Sequence, residues 1–105
     1  FNLFMLLQFS PVAFAQDELK LESLQLGGRK RSYYLHLPGG KTASAGQALV
    51  IVLHGGMENG KVIAKMSRMN KLSDREGFLL VYPNGSGKLR SKFLTWNAHD
   101  CCGFA

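Results

Sequence analysis

Acidic side chains, cysteine, proline and long apolar runs are all scarce in this 105-residue chain. Seven Asp and Glu stand against thirteen Lys and Arg, a net charge of +6. Residues 1–15 carry no charge, so all of it falls on residues 16–105. A basic balance speaks to association with acidic polymers, nucleic acid among them, and not to chemistry. The two cysteines, Cys101 and Cys102, are adjacent. Neighbours pair only through a strained ring, so in an oxidising compartment at least one is expected to find its partner beyond Ala105. His99 and Asp100 beside them have no zinc-ligand spacing, and no metal or cofactor is expected. Repeats and low-complexity linkers are also missing, and the length excludes more than one domain.

The longest uncharged apolar stretch, Leu3 to Ala15, is interrupted by Gln8 and Pro11. It falls short of the roughly 20 residues a membrane span needs. Its Ala13-Phe14-Ala15 end and the switch to Gln16-Asp17-Glu18 predict a signal peptide over residues 1–15, with a secreted or periplasmic product. Phe1 stands where Met would, and the basic start of a signal peptide is missing, so an incomplete N-terminus is expected.

From Leu19 onward, polar and apolar residues alternate. Leu19–Leu26 and Arg31–Leu37 flank Gly27-Gly28 and read as a β-hairpin. Arg29-Lys30-Arg31 at its tip reads as a solvated basic loop, and His36 as a structural residue inside the strand. Pro38-Gly39-Gly40 ends the hairpin, and residues 41–47 form a loop. Ala48–Leu53 (ALVIVL) is apolar without alternation, which predicts a central strand buried on both faces. Val62–Glu76 carries Ile63, Met66, Met69 and Leu72 at helical spacing, with Gly77 placed to stop the helix. Phe78–Tyr82 is a second apolar strand ended by Pro83. The fold class is therefore α/β: an antiparallel hairpin, then strand-helix-strand with a right-handed crossover. One sheet face has no helix to cover it, so the architecture reads as incomplete. Residues 16–105 alone are expected to self-associate.

The most informative segment is the turn His54-Gly55-Gly56-Met57-Glu58-Asn59-Gly60, directly after a strand. Backbone N–H groups at such a turn can stabilise an oxyanion, and the same glycines also suit a tight turn that holds no ligand. Gly55 to Lys61 spells G-x-x-x-x-G-K, but Val62 stands where a phosphate loop needs Ser or Thr for Mg²⁺.

Four segments in register carry a likeness to a known family. They are Arg31–Pro38 (RSYYLHLP), ALVIVLHGG, Leu72–Gly85 (LSDREGFLLVYPNG), and Thr95-Trp96-Asn97 with Cys101-Cys102-Gly103. Together they resemble exported esterases of the polyhydroxybutyrate-depolymerase and feruloyl-esterase type. The resemblance implies an α/β-hydrolase sheet, of which this chain holds the first strands and first helix, and it implies ester hydrolysis by an activated serine. It places the oxyanion donor at Gly56, flanked by Gly55 and Met57, with His54 bracing the turn rather than acting as base. Trp96 is implied at the acyl or alcohol pocket, with a core position as its alternative. Cys101 or Cys102 is implied in a structural disulfide. The pattern is broken in one place, because G-x-S-x-G is absent and Gly85-Ser86-Gly87 lacks its frame. Nucleophile, acid and base are thus expected after Ala105, with the 105 residues alone inactive. The partner implied is a polyester or a feruloyl or acetyl ester of plant polysaccharide, with no nucleic acid and no membrane span. A different class of function, an anion- or carbohydrate-binding module without catalysis, uses the same turn.

Overall fold

The computed structural model describes residues 19–40, 42–89 and 91–99. Residues 1–15, where a signal peptide is expected, and Cys101 and Cys102 lie outside them.

Strands β1 (Lys20–Leu26) and β2 (Arg29–His36) form the expected hairpin. They are joined by Gly27 (φ 56°) and Gly28 (φ 71°), both left-handed, as a two-residue turn matched to strand twist requires. The pairing runs from Leu26 opposite Arg29 to Lys20 opposite Leu35. Arg29–Arg31 is therefore strand and not loop. Arg31 is half-buried and donates to Ser86 Oγ at 2.8 Å, so only Arg29 and Lys30 of the basic run are solvated.

Strand β3 (Leu49–Ile51) is followed by helices α1 (Gly60–Ser67) and α2 (Met69–Glu76), and by strand β4 (Leu79–Pro83). The sheet order is β1-β2-β4-β3, with β4 antiparallel to β2 and parallel to β3. The inner strands are thus β2 and β4. Among the described residues β3 lies at the edge, with Leu49 and Ile51 exposed at 54% and 59%, which corrects the expectation of a central strand buried on both faces. An unbroken apolar run reports where a chain is to be covered, and it does not report which strand lies innermost.

The single helix expected over Val62–Glu76 is two. Arg68 adopts φ 54°, ψ 22° and separates them. Ser67 Oγ, which lies 3.5 Å from Ala64 O and takes the Met69 N–H at 3.4 Å, gives the backbone local partners at the break. The re-aimed α2 places Asn70 under the sheet, where its Oδ1 accepts from Tyr82 Oη at 2.6 Å, and Ser73 Oγ donates to Phe78 O at 2.5 Å. Gly77 (φ 80°) closes α2 with its N–H on Ser73 O.

The core is Leu80, Tyr82 and Ala64, with Tyr34, Val50, Val52, Ile63, Met69 and Phe78 against it, all between the helices and one sheet face. The other face presents Leu24, Leu26, Leu35, Leu49, Leu79 and Val81 around a broad apolar concavity. No helix among the described residues is long and apolar enough to cross a membrane.

His36, the last residue of β2, is buried, and its Nε2 lies 2.8 Å from Asp74 Oδ1 on α2, an oxygen that also accepts from Gly39 N–H at 2.8 Å. Burial opposes charge on Asp74, but the Gly39 and His36 hydrogen bonds outweigh it and hold the carboxyl below its usual range. A carboxyl depressed on folding stabilises the fold above its unfolded pKa, and that contribution is lost as pH falls through the lower folded value. Asp74→Asn is therefore expected to lower the thermal midpoint at neutral pH and to flatten its fall in the acid range. A series of melts from pH 7 to pH 3 on the whole gene product checks this, and parallel curves for variant and parent would count against it.

Candidate functional site

The C-terminal ends of the parallel strands β3 and β4 open on the same side, the place where α/β sheets bind ligands. Three segments meet there: residues 54–58 after β3, residues 84–87 after β4, and residues 94–96. Met57 N–H donates to Leu94 O at 2.9 Å, and Leu94 N–H donates to Glu58 O at 3.0 Å. Ser86 and Thr95 exchange both backbone bonds, at 2.9 and 2.8 Å. Leu94 and Thr95 are buried at 1% and 4% exposure, so a stretch with no helix or strand pattern is pinned into the site.

His54 is 3% exposed and both ring nitrogens are engaged. Gly85 N–H meets Nε2 at 2.9 Å, and Nδ1 meets Gly55 O at 2.6 Å. An N–H can only donate and a carbonyl can only accept, so the proton sits on Nδ1 and the lone pair on Nε2. That lone pair is occupied by Gly85. Trp96 packs on the imidazole with ring centroids 4.6 Å apart and planes tilted by 32°, and its Nε1 donates to His54 O at 2.8 Å. It is half-buried and also borders the apolar concavity.

Within the turn the three successive N–H groups differ. Gly55 N–H donates to Glu58 Oε2 at 3.1 Å, and Met57 N–H is taken by Leu94 O. Gly56 N–H meets no acceptor among the described residues. Gly56 is exposed, with open space where a side chain would stand. Met57 holds φ 66°, a left-handed position uncommon outside glycine.

The start of α1 is not an open anion site. Asn59 caps it by accepting from Val62 N–H at 3.0 Å, and Asn84 Oδ1 accepts from Gly60 N–H at 2.8 Å while its Nδ2 donates to Ser32 Oγ at 3.0 Å. A Cβ at Gly60 would fall on the carbonyl oxygen of Tyr82. Gly60, the second glycine of the G-x-x-x-x-G-K string, thus serves close helix-on-strand packing, and the Gly60 and Val62 amides at the start of α1 are spent inside the protein. No group of three or more His, Cys, Asp or Glu that would hold a metal occurs among the described residues.

The chain matches the family described as Esterase PHB depolymerase over residues 31–105, well over half its length. It belongs to that family. No curated protein matches it closely. In this PHB depolymerase-family chain the matched region runs from the middle of the hairpin through the interlocked turn, so it contains every residue of the site. Glu58, Gly85 and Leu94, which carry much of that interlock, have no local mark in the sequence. Only the two glycines of Asn84-Gly85-Ser86-Gly87 hint at a close approach.

Proposed function

We propose that this chain carries the oxyanion side of a serine-type carboxylic-ester hydrolase of α/β-hydrolase architecture. One observation carries the reading: at the carboxyl end of β3, Gly55 and Met57 have their N–H groups occupied, and Gly56, exposed between them, has an N–H with no acceptor among the described residues. A serine Oγ gives its proton to a histidine and adds to the ester carbonyl carbon, the carbonyl π pair moves onto oxygen, and the Gly56 N–H stabilises that charge. Collapse expels the alcohol, protonated by a histidine, and water then releases the acid from the acyl-enzyme. The 105 residues contain no G-x-S-x-G. We assign nucleophile, acid and base to the sequence after Ala105, in that order. His54, with both nitrogens engaged, holds the turn and is not the base. The half-buried ring of Trp96, rigid against His54, suits the wall of an acyl or alcohol pocket.

The substrates proposed are polyhydroxyalkanoate-like polyesters or feruloyl and acetyl esters of plant polysaccharide, met outside the cytoplasm after cleavage of residues 1–15. No cofactor takes part in this chemistry. The whole gene product is assayed on p-nitrophenyl butyrate and methyl ferulate, with and without a serine-directed phosphonate. Hydrolysis abolished by the phosphonate is the expected result, and the preferred ester chooses between the two substrate classes. A folded protein that cleaves neither would leave an anion- or carbohydrate-binding module as the better reading.

A further inference from the structure

The peptide joining Gly55 to Gly56 is held from one side. Its carbonyl lies 2.6 Å from His54 Nδ1, and its N–H meets no acceptor among the described residues. In a trans peptide the C=O and N–H point in opposite directions, so whatever fixes the one aims the other. We infer that His54 is a positioning residue for the proposed ester hydrolysis: as its Nδ1–H tautomer it locks the plane of the 55–56 peptide and points the Gly56 N–H at the developing oxyanion. The inference rests on the esterase reading.

Between two glycines this peptide has little intrinsic reason to keep one orientation, because neither residue has a Cβ to restrict rotation. The imidazole supplies the restriction, and it is itself fixed on every side. Gly85 N–H holds Nε2, the Trp96 ring covers a face, and Trp96 Nε1 anchors the His54 carbonyl. The flanking amides cannot substitute for Gly56, because Glu58 and Leu94 already take them. The bonds also run in one direction. Gly85 N–H donates to His54 Nε2, His54 Nδ1–H donates to Gly55 O, and Gly56 N–H is left to donate to the ester oxygen. A chain of donors oriented this way polarises along its length, which strengthens the last donor.

The test uses the whole gene product and His54→Gln. Misaiming the donor is expected to cost nearly what losing it costs, a fall in kcat of about 100-fold. KM should stay within about threefold, because the ground-state ester makes little use of the donor. Trp96→Phe keeps the stacked ring and removes only the Nε1 hydrogen bond, so a smaller fall in kcat, about fivefold, is expected. Nitrogen-15 correlation spectra of His54 in the unsubstituted protein should show a protonated Nδ1 and a bare Nε2, whether or not the Gln variant folds. An Nε2–H tautomer, or a folded His54→Gln enzyme with parental kcat, overturns the positioning role alone. A parent that hydrolyses no ester while showing the Nδ1–H tautomer overturns the esterase reading, and the catalytic role falls with it.

Discussion

Gly85→Ala is expected to remove most of the activity of the whole gene product and to lower its stability by about 4–6 kcal/mol, the sum of overpacking and three disrupted hydrogen bonds. A Cβ at position 85 would land on the carbonyl oxygen of Thr95 and within 3.3 Å of His54 Cε1. Thr95 O already accepts from Ser86 N–H, so the added carbon cannot be housed without opening the Ser86–Thr95 pair. Opening it withdraws the Gly85 N–H from His54 Nε2 as well. The loss is large beside a typical total of about 5–15 kcal/mol. Urea unfolding with esterase assays on the same preparations checks it. A variant with the parental midpoint would show that the 84–87 and 94–96 segments are not locked together.

Gly56→Pro is expected to lower kcat by about 10²–10³-fold, the usual cost of one oxyanion donor, with far less effect on stability than Gly85→Ala. Proline has no N–H, and position 56 is exposed with nothing within 4 Å of an added Cβ. Gly56→Ala keeps the amide and meets the same open space, so its kcat should exceed that of the proline variant by more than tenfold. Thermal melts of both variants separate loss of the donor from loss of the turn. Equal kcat values for Ala and Pro would move the oxyanion donor elsewhere in the protein.

Where one local signal dominates, the sequence was legible. Gly27-Gly28 has no conformational rival as a two-residue turn, and the hairpin is built on it. Gly77 ends α2 with the left-handed cap its position implies. The family, too, was readable from four short segments, and residues 31–105 match it. Features decided by distant partners were not legible. Arg68 has no glycine, proline or asparagine to announce a left-handed break, and the break is set by where Asn70 and Ser73 must meet Tyr82 and Phe78. His36 read as a structural residue, but its partner Asp74 lies 38 positions on, beyond any periodicity. The edge position of β3 depends on the choice of neighbours and not on its own composition. In the site, His54, Gly55, Gly56, Met57 and Trp96 were singled out from the His-Gly-Gly turn and the family likeness. Glu58, Gly85 and Leu94 were not: Leu94 acts through its backbone, the segment Gly85 must pass closely lies ten residues on, and Glu58 reads as one more polar residue of a turn.

The interlock also fixes an order of events in synthesis. The His54 ring is seated by Gly85, 31 residues later, and by Trp96, 42 residues later. At about 5–20 residues per second those partners are synthesised seconds after His54, long compared with the microseconds in which a hairpin or helix forms. A nascent chain that has emerged only as far as β4 has its sheet partners and its helices but no settled turn after β3. The geometry of the turn is thus withheld until the stretch around Trp96 has left the ribosome and folded back, and a chain stalled before that point carries the sheet and helices without the interlock.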